Sequence, residues 1–371
     1  MQSAAAVVRA VGEDFSFEAI EVSDPASREV LVEIAGVGLC HTDLAVRDGH
    51  IPFPFPSVLG HEGSGRVLRV GDKVTRVAVG DSVAISFNSC GECRTCRLGK
   101  PSYCLDFAPL NFGGTRPDGT GVLSRGTETL GGNFFGQSSF ALHAVANERN
   151  VVKVADDIPL ELIGPLGCGF QTGAGAVLNS LDCAPGSSLV ITGAGSVGMA
   201  AIMAGVVRGL EHIIVVEPQE GRRDLARALG ATNVIDPAAG PVSASVREIV
   251  PEGADYIIDT TGLLPVLEES VLSLARLGKL GILGVPSDPA AALALNLGYI
   301  QLIGGSVVGI VEGDSDPDVF IPYLLDLHRE GKFPFDKLIT TFPLSKINEA
   351  VSAQHSGEAV KVVLLTDEGK I

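Results

Sequence analysis

SLVITGAGSVGMAAIMAGVVRG, residues 188–209, reads as a buried strand, a glycine turn and a helix in direct succession. SLVIT is a short apolar run, Gly193, Gly195 and Gly198 follow it in GxGxxG order, and an alanine-rich helical pattern begins at once. The first glycine permits the tight turn, the second lets a pyrophosphate approach the backbone, and the third lets helix and strand pack closely. The free N–H groups at the helix start, around Ser196 and Val197, face the anion. The next strand, HIIVVE, ends in Glu217, where an acidic side chain grips the adenosine ribose hydroxyls. That carboxylate repels a 2′-phosphate, so NAD is expected rather than NADP; Arg222 and Arg223 are the residues an NADP site would use.

Working outward, the stretch sits in a run of apolar strands alternating with helical patterns from about residue 170 onward. ADYIIDTTG and KLGILGV are strands; DLARALG, VREIV and residues 265–277 are helical. Such alternation is the mark of βαβ units on a doubly wound parallel sheet, a Rossmann domain expected over residues 170–306. The first 160 residues have another texture. EVLVEIAGVGL, GSGRVLRVG, DSVAIS, SSFALHAVA and NVVKV are short β segments punctuated by glycine and proline. A helix is expected near 318–330 and a last strand at VKVVLLT, so residues 307–371 are expected to rejoin 1–169 in a mainly-β domain.

The chain has 371 residues, long enough for two cores. Its formal charge of -17 argues against binding nucleic acid phosphates. With 46% hydrophobic and 19% charged residues and no low-complexity tract, it reads as folded throughout. The N-terminus MQSAAAVVRAVGEDF lacks a basic segment followed by an apolar one, and no apolar run reaches bilayer-spanning length, so a soluble cytoplasmic protein is expected. Seven cysteines cannot all pair, and thiolate metal ligands in a reducing compartment fit better than a disulfide framework.

Four of those cysteines crowd into SCGECRTCRLGKPSYC, residues 89–104. Cys90, Cys93, Cys96 and Cys104 on a closely turning loop match tetrahedral zinc with every position filled. An iron–sulfur cluster is the rival, but the long gap before Cys104 and the absence of a following proline depart from the common ferredoxin run. A full shell cannot accept a substrate, so this lobe is a structural staple. Cys40 in GLCHTDL, His61 in LGHEGSG and Cys168 in GPLGCGF remain, each in a glycine-flanked loop where distant side chains can converge; singly, each is as readily a packed cysteine or a hydrogen-bonded histidine. Cys183 stands in no motif and reads as structural.

GLCHTDL, GHEGSGRV, the four-cysteine lobe, CGFQTGAGA and TGAGSVG, in this order, resemble the zinc-dependent medium-chain alcohol dehydrogenases over essentially the whole chain. Within that family, CHTDLAVRDG, IPFPFPSVLGHEG and the segment from NFGGTRPDGTGVLS to FFGQSSF are most similar to the aryl-alcohol (benzyl-alcohol) dehydrogenases. The resemblance implies a GroES-like mainly-β catalytic domain beside the Rossmann domain. It implies two zinc ions per chain, with Cys40, His61 and Cys168 around a catalytic zinc whose fourth position stays open. Such an ion acts as a Lewis acid, easing proton loss from an alcohol before hydride passes to the nicotinamide.

By the same resemblance, Asp43 and Glu62 are the carboxylates behind the ligands, with Asp43 orienting His61. Thr42 takes the alcohol proton and passes it on, its hydroxyl both donating and accepting. Relatives often end that relay with a histidine where this chain has Ala45, so Arg47, His50 or water must serve; His50 is the titratable candidate, since arginine is a poor proton acceptor. His41 and Lys361 match two cationic positions beside the cofactor pyrophosphate. Phe53, Phe55, Phe112, Phe134 and Phe135 lie in loops where they line an apolar pocket for a flat substrate or serve as packing. The implied reaction is oxidation of a primary aromatic or allylic alcohol to its aldehyde. The rivals are a thiol-adduct (formaldehyde-clearing) dehydrogenase of the same fold and a non-enzymatic protein that kept the fold. LNLGYIQLIGGSVVGIV is a candidate edge strand for a homodimer or homotetramer.

Overall fold

The computed structural model describes residues 1–288 and 290–366. They divide into two compact units: residues 1–168, 316–323 and 336–366 form one, and residues 169–315 and 324–335 the other.

The second unit is built on a six-stranded parallel sheet. Its spatial order is Asn233–Ile235, His212–Val216, Ser188–Thr192, Ala254–Asp259, Leu274–Ile282, Ser306–Gly309. In chain order these are the third, second, first, fourth, fifth and sixth strands, the doubly wound Rossmann arrangement. SLVIT is the central first strand, buried along its whole length. The helix Ser196–Arg208 follows it, buried from Gly198 to Gly205. The core beneath the helices gathers Val190, Ile214, Ile257, Leu267 and Leu280.

Two boundaries differ from the sequence reading. Ser306–Gly309 pairs in parallel with Lys279–Ile282, so the Rossmann unit runs past residue 306 to Ser315. The expected helix over 265–277 ends at Ser273, because Leu274 already pairs with Ala254 across the sheet. The apolar run LARL suits either element, and sheet pairing decides.

The first unit holds two sheets. A five-stranded one runs Ser57–Val58, Gln2–Val8, Ser16–Val22, Leu123–Arg125, Glu128–Leu130. The second runs Val151–Lys153, Ser82–Ile85, Gly63–Val70, Glu29–Leu39, Lys361–Leu365, Ile339–Pro343, with His143–Asn147 also pairing to Glu29–Leu39. The long strand Glu29–Leu39 is its axis. Antiparallel pairing sets Val37 opposite Gly63 and Val362 opposite Leu39, so residues 39–40, 61–63 and 361 meet at one end. That register, not proximity in sequence, builds the site. SSFALHAVA starts its strand only at His143; the residues before it turn sharply, with Ser138 at φ 53°.

Candidate metal and nucleotide sites

Cys40 caps the helix His41–Arg47, and the Asp43 carboxylate reaches back to accept from the Cys40 N–H at 3.0 Å. The same carboxylate accepts from the Gly60 N–H at 3.0 Å and lies 2.9 Å from His61 Nδ1. Asp43 and His61 are both fully buried. A carboxylate can only accept, so Nδ1 carries a proton, leaving Nε2 as the nitrogen free to present a lone pair to a metal; it is buried without a hydrogen-bond partner among the described residues.

Cys168 arrives from the turn Gly164–Gly167, which lies directly against residues 62–63 and 85–86. A Cβ on Gly164 would collide with the Glu62 carbonyl, and Ser86 Oγ donates to the Gly167 carbonyl at 2.6 Å. The ligand-type atoms of Cys40, His61, Glu62 and Cys168 all lie within 4.8 Å of one another.

The electrostatics of this cluster ask for a cation. A hydrogen bond from Cys168 holds the Cys40 thiol well below its ordinary value, helped by His61 and Lys361 against the cost of burial. Burial opposes charge on His61, yet the Asp43 carboxylate and the Cys40 thiolate raise its pKa well above the usual histidine range. Two sulfurs and an imidazole, with a carboxylate fixing the tautomer from behind, are the donor set of a catalytic zinc site. The residues present fit that ion.

The lobe fits a second. The sulfurs of Cys90, Cys93, Cys96 and Cys104 also lie within 4.8 Å of one another, with Cys93 Sγ 4.0 Å from Cys104 Sγ. Tetrahedral zinc with Zn–S bonds of about 2.3 Å needs sulfurs about 3.8 Å apart. The Thr95 hydroxyl and backbone N–H groups bring the Cys93 thiol down to about 5, while burial pushes Cys104 up to about 12. Only a bound cation lets all four ionise together.

Lys361, read from sequence as a cation beside the cofactor phosphates, is 1% exposed, ion-paired with the buried Glu62 and donating to the Leu39 carbonyl at 3.1 Å. The pairing of Lys361–Leu365 with Glu29–Leu39 draws it inside. Burial pushes the Glu62 carboxyl up to about 7 against the pull of Lys361.

Thr42 lies beside the cluster, its Oγ1 3.7 Å from Cys40 Sγ. His41 and His50 are exposed, so His50 is not gathered into the buried group, and Arg47 pairs with Asp48. The phenylalanines divide. Phe134 and Phe135 are core residues, with Phe135 stacked on the His61 ring and Phe53 and Phe112 edge-on to Phe134, so the first two serve as packing rather than as an open pocket wall. Phe55 is partly buried against the same core.

In the Rossmann unit, Gly193 adopts φ 92° and Gly195 precedes the first helical turn, formed by Ser196, Val197 and Gly198. A Cβ on Gly198 would collide with the Gly193 carbonyl. The Glu217 carboxylate accepts from the Ala194 N–H at 2.8 Å and the Gln219 N–H at 2.9 Å, bracing the glycine turn. Arg223 is engaged by the carbonyls of Glu217 and Pro218 and by Asp236, whereas Arg222 Nε is buried with no partner among the described residues.

Sequence reasoning missed two polar residues. Asp259, fully buried, accepts from Thr192 Oγ1 and Thr261 Oγ1 at 2.7 Å each and from the Gly262 N–H at 2.8 Å, tying the loop after its strand to the strand that carries the glycine turn. An acid closing the apolar run YIID before TTG was the available signal. Gln137 donates to the His61 carbonyl at 2.8 Å and accepts from the Gly63 N–H at 3.1 Å; nothing in FFGQSSF marks that role.

Comparison with known proteins agrees with this geometry. A family model described as an alcohol dehydrogenase GroES-like domain matches residues 26–156, and one described as a zinc-binding dehydrogenase matches residues 196–328. A geraniol dehydrogenase of Castellaniella defragrans is 50% identical over 365 residues, covering 97% of each chain. The crystal structure of an alcohol dehydrogenase zinc-binding domain protein from Burkholderia ambifaria superposes with a TM-score of 0.96 at 45% identity, covering 98% of this chain and 99% of that one. A benzyl alcohol dehydrogenase from Acinetobacter calcoaceticus gives 0.95 at 41% identity with the same coverage. With a GroES-like domain, a Rossmann-type domain and the donor sets described above, the chain belongs to the zinc-dependent medium-chain alcohol dehydrogenases and is an enzyme that uses zinc and a nicotinamide nucleotide.

Proposed function

We propose that this enzyme interconverts a primary allylic or aromatic alcohol and its aldehyde with NAD as hydride acceptor, and that each chain holds one catalytic and one structural zinc. The observation that carries the reading is the buried convergence of Cys40, His61 and Cys168 with Asp43 behind the imidazole. The allylic and aromatic preference draws its support from the geraniol and benzyl alcohol dehydrogenases to which the chain is similar.

Zinc, when bound, supplies Lewis acidity that eases removal of the alcohol proton. The chain's own residues do the rest. Asp43 keeps the proton on His61 Nδ1 so that Nε2 stays a donor of electrons. Thr42 offers a hydroxyl that accepts the alcohol proton as it donates its own onward. Ala45 ends the side-chain relay there, so water is assigned to carry the proton out, with exposed His50 as a candidate acceptor. By the family resemblance, His41, exposed at the helix start, is the residue assigned to the cofactor phosphates. Glu217 is assigned to the ribose, where it disfavours a 2′-phosphate, and Arg222, whose Nε has no partner among the described residues, is a further candidate for the nucleotide.

The same reading includes a homo-oligomer, dimer or tetramer, and action in the cytoplasm. Ser306–Gly309 is an edge strand, and Leu277, Leu297 and Leu302 are exposed. None of the seven cysteines forms a disulfide, which suits a reducing compartment, and no described helix is long and apolar enough to cross a membrane.

The test is a panel of allylic, benzylic and aliphatic alcohols under NAD and NADP, with metal content measured on the same sample. Two zincs per chain and NADH formed fastest from the first two classes are expected. No NADH from any class with zinc fully loaded overturns the proposal.

A further inference from the structure

We propose that Phe135 is a positioning residue that fixes the plane of the His61 imidazole, and that the left-handed backbone at Asn133, Phe135, Gly136 and Ser138 serves to hold it there. The inference rests on the reading that Cys40, His61 and Cys168 bind zinc.

The Phe135 ring lies 4.4 Å from the His61 ring at an interplanar angle of 22°, and Phe134 meets the same imidazole edge-on at 5.4 Å and 85°. Phe135 holds that place from an unfavourable backbone. Its φ is 49°, flanked by Asn133 at 57° and Ser138 at 53°. Bulky side chains rarely adopt this region, since Cβ crowds the backbone, and such strain persists only where the surroundings over-determine it.

The surroundings do so here. Ser138 Oγ donates to the Val58 carbonyl at 2.7 Å and accepts from the Phe134 N–H at 2.9 Å; Asn150 Nδ2 donates to the Phe135 carbonyl at 3.0 Å. Gln137, from the same segment, grips the backbone at the His61 carbonyl and the Gly63 N–H.

The division of labour is geometric. The Asp43 hydrogen bond restrains where Nδ1 lies and which tautomer is present, yet it tolerates tilting of the ring about that contact. A parallel aromatic face does not. Asp43 and Phe135 together leave Nε2 one direction in which to point, and Gln137 fixes the ring's anchor on the main chain. Partners behind a metal ligand affect metal affinity without touching the ion.

The experiment compares Phe135→Leu, Phe135→Asn and Phe135→Tyr with wild type by zinc competition against a chromophoric chelator and by the visible spectrum of the cobalt-substituted enzyme. Cys168→Ser serves to assign the internal site. Asparagine tolerates the left-handed backbone but lacks the ring. Tyrosine keeps the ring. Leucine and asparagine are expected to weaken the internal site about 10-fold and to shift its cobalt bands, with the lobe affinity unchanged, while tyrosine restores wild-type behaviour. Wild-type affinity and spectrum in both Phe135→Leu and Phe135→Asn overturn the inference. If leucine prevents folding, asparagine and tyrosine decide between the same outcomes. A wild type that takes up only the lobe metal brings down the underlying site reading, and this inference with it.

Discussion

The two thiol clusters of the first domain are made in opposite ways. The lobe draws four sulfurs from one loop and lies near the surface: Cys90, Cys93 and Cys96 are half-buried, and the thiols are met from within the loop, as by Cys90 N–H to Cys104 Sγ at 3.2 Å and Cys93 N–H to Cys90 Sγ at 3.4 Å. The inner cluster takes its donors from three segments, and His61, Asp43 and Glu62 are fully buried. On the proposed reading, a metal would organise the chain in the lobe. In the inner cluster the sheet register organises the donors before any metal arrives.

Exchanging Cys168 for serine tests that contrast most severely. It removes one inner donor while leaving the lobe loop untouched, so turnover is expected to fall more than about 100-fold, beyond the usual cost of disturbing residues behind a ligand. Metal analysis of C168S should show one zinc retained and a near-normal melting curve. A variant that keeps both metals and turns over would mean that the inner donors are not a set.

Cys96→Ser asks the reverse question. Because the lobe gains its order from the metal, stability should drop by about 3 kcal/mol, a melting shift of roughly 6–12 °C for a domain of this size. Activity per folded molecule should be retained at low temperature. Calorimetry alongside initial rates separates the two, and an unchanged melting point would show the loop to be self-supporting.

Asp43→Asn is expected to be intermediate. The amide can still occupy the site between Cys40 N–H, Gly60 N–H and His61 Nδ1, but it presents donors where only acceptance is wanted. A loss of about 10- to 100-fold in inner-metal affinity or activity is expected, read by chelator competition, with the lobe unaffected.

The same contrast explains what could be read from the chain. The lobe was legible because its donors share one loop, and the glycine turn because strand, turn and helix are contiguous in residues 188–209. Cys40, His61 and Cys168 could be named by resemblance, but their convergence depends on Val37 pairing with Gly63, which no local pattern encodes. The protein partners of Lys361 were hidden for the same reason: Leu39 and Glu62 are about three hundred positions away, and a lysine opening an apolar strand gives no sign of them. Phe135 was hidden differently. Its role depends on a positive φ in a residue type that gives no sign of it.

The smallest effect lies outside both clusters and shows which acid sensitivity belongs to the metals. Glu18, partly buried, sits in a network with Arg9 and Arg125, and the hydrogen bond from Arg9 lowers its carboxyl pKa below the usual value. A depressed carboxylate stabilises the fold above the unfolded-state pKa of about 4.3, and that contribution fades as pH falls through the lower folded value. Both arginines are partly exposed, so Glu18→Gln should cost at most about 1 kcal/mol near neutrality. Denaturant titrations should show the gap to wild type shrinking to nothing below the folded pKa, with zinc content the same in both proteins at each pH. A gap that persists in acid would assign Glu18 a packing role, and zinc lost earlier in Glu18→Gln would mean that the clusters and the outer sheet do not titrate separately.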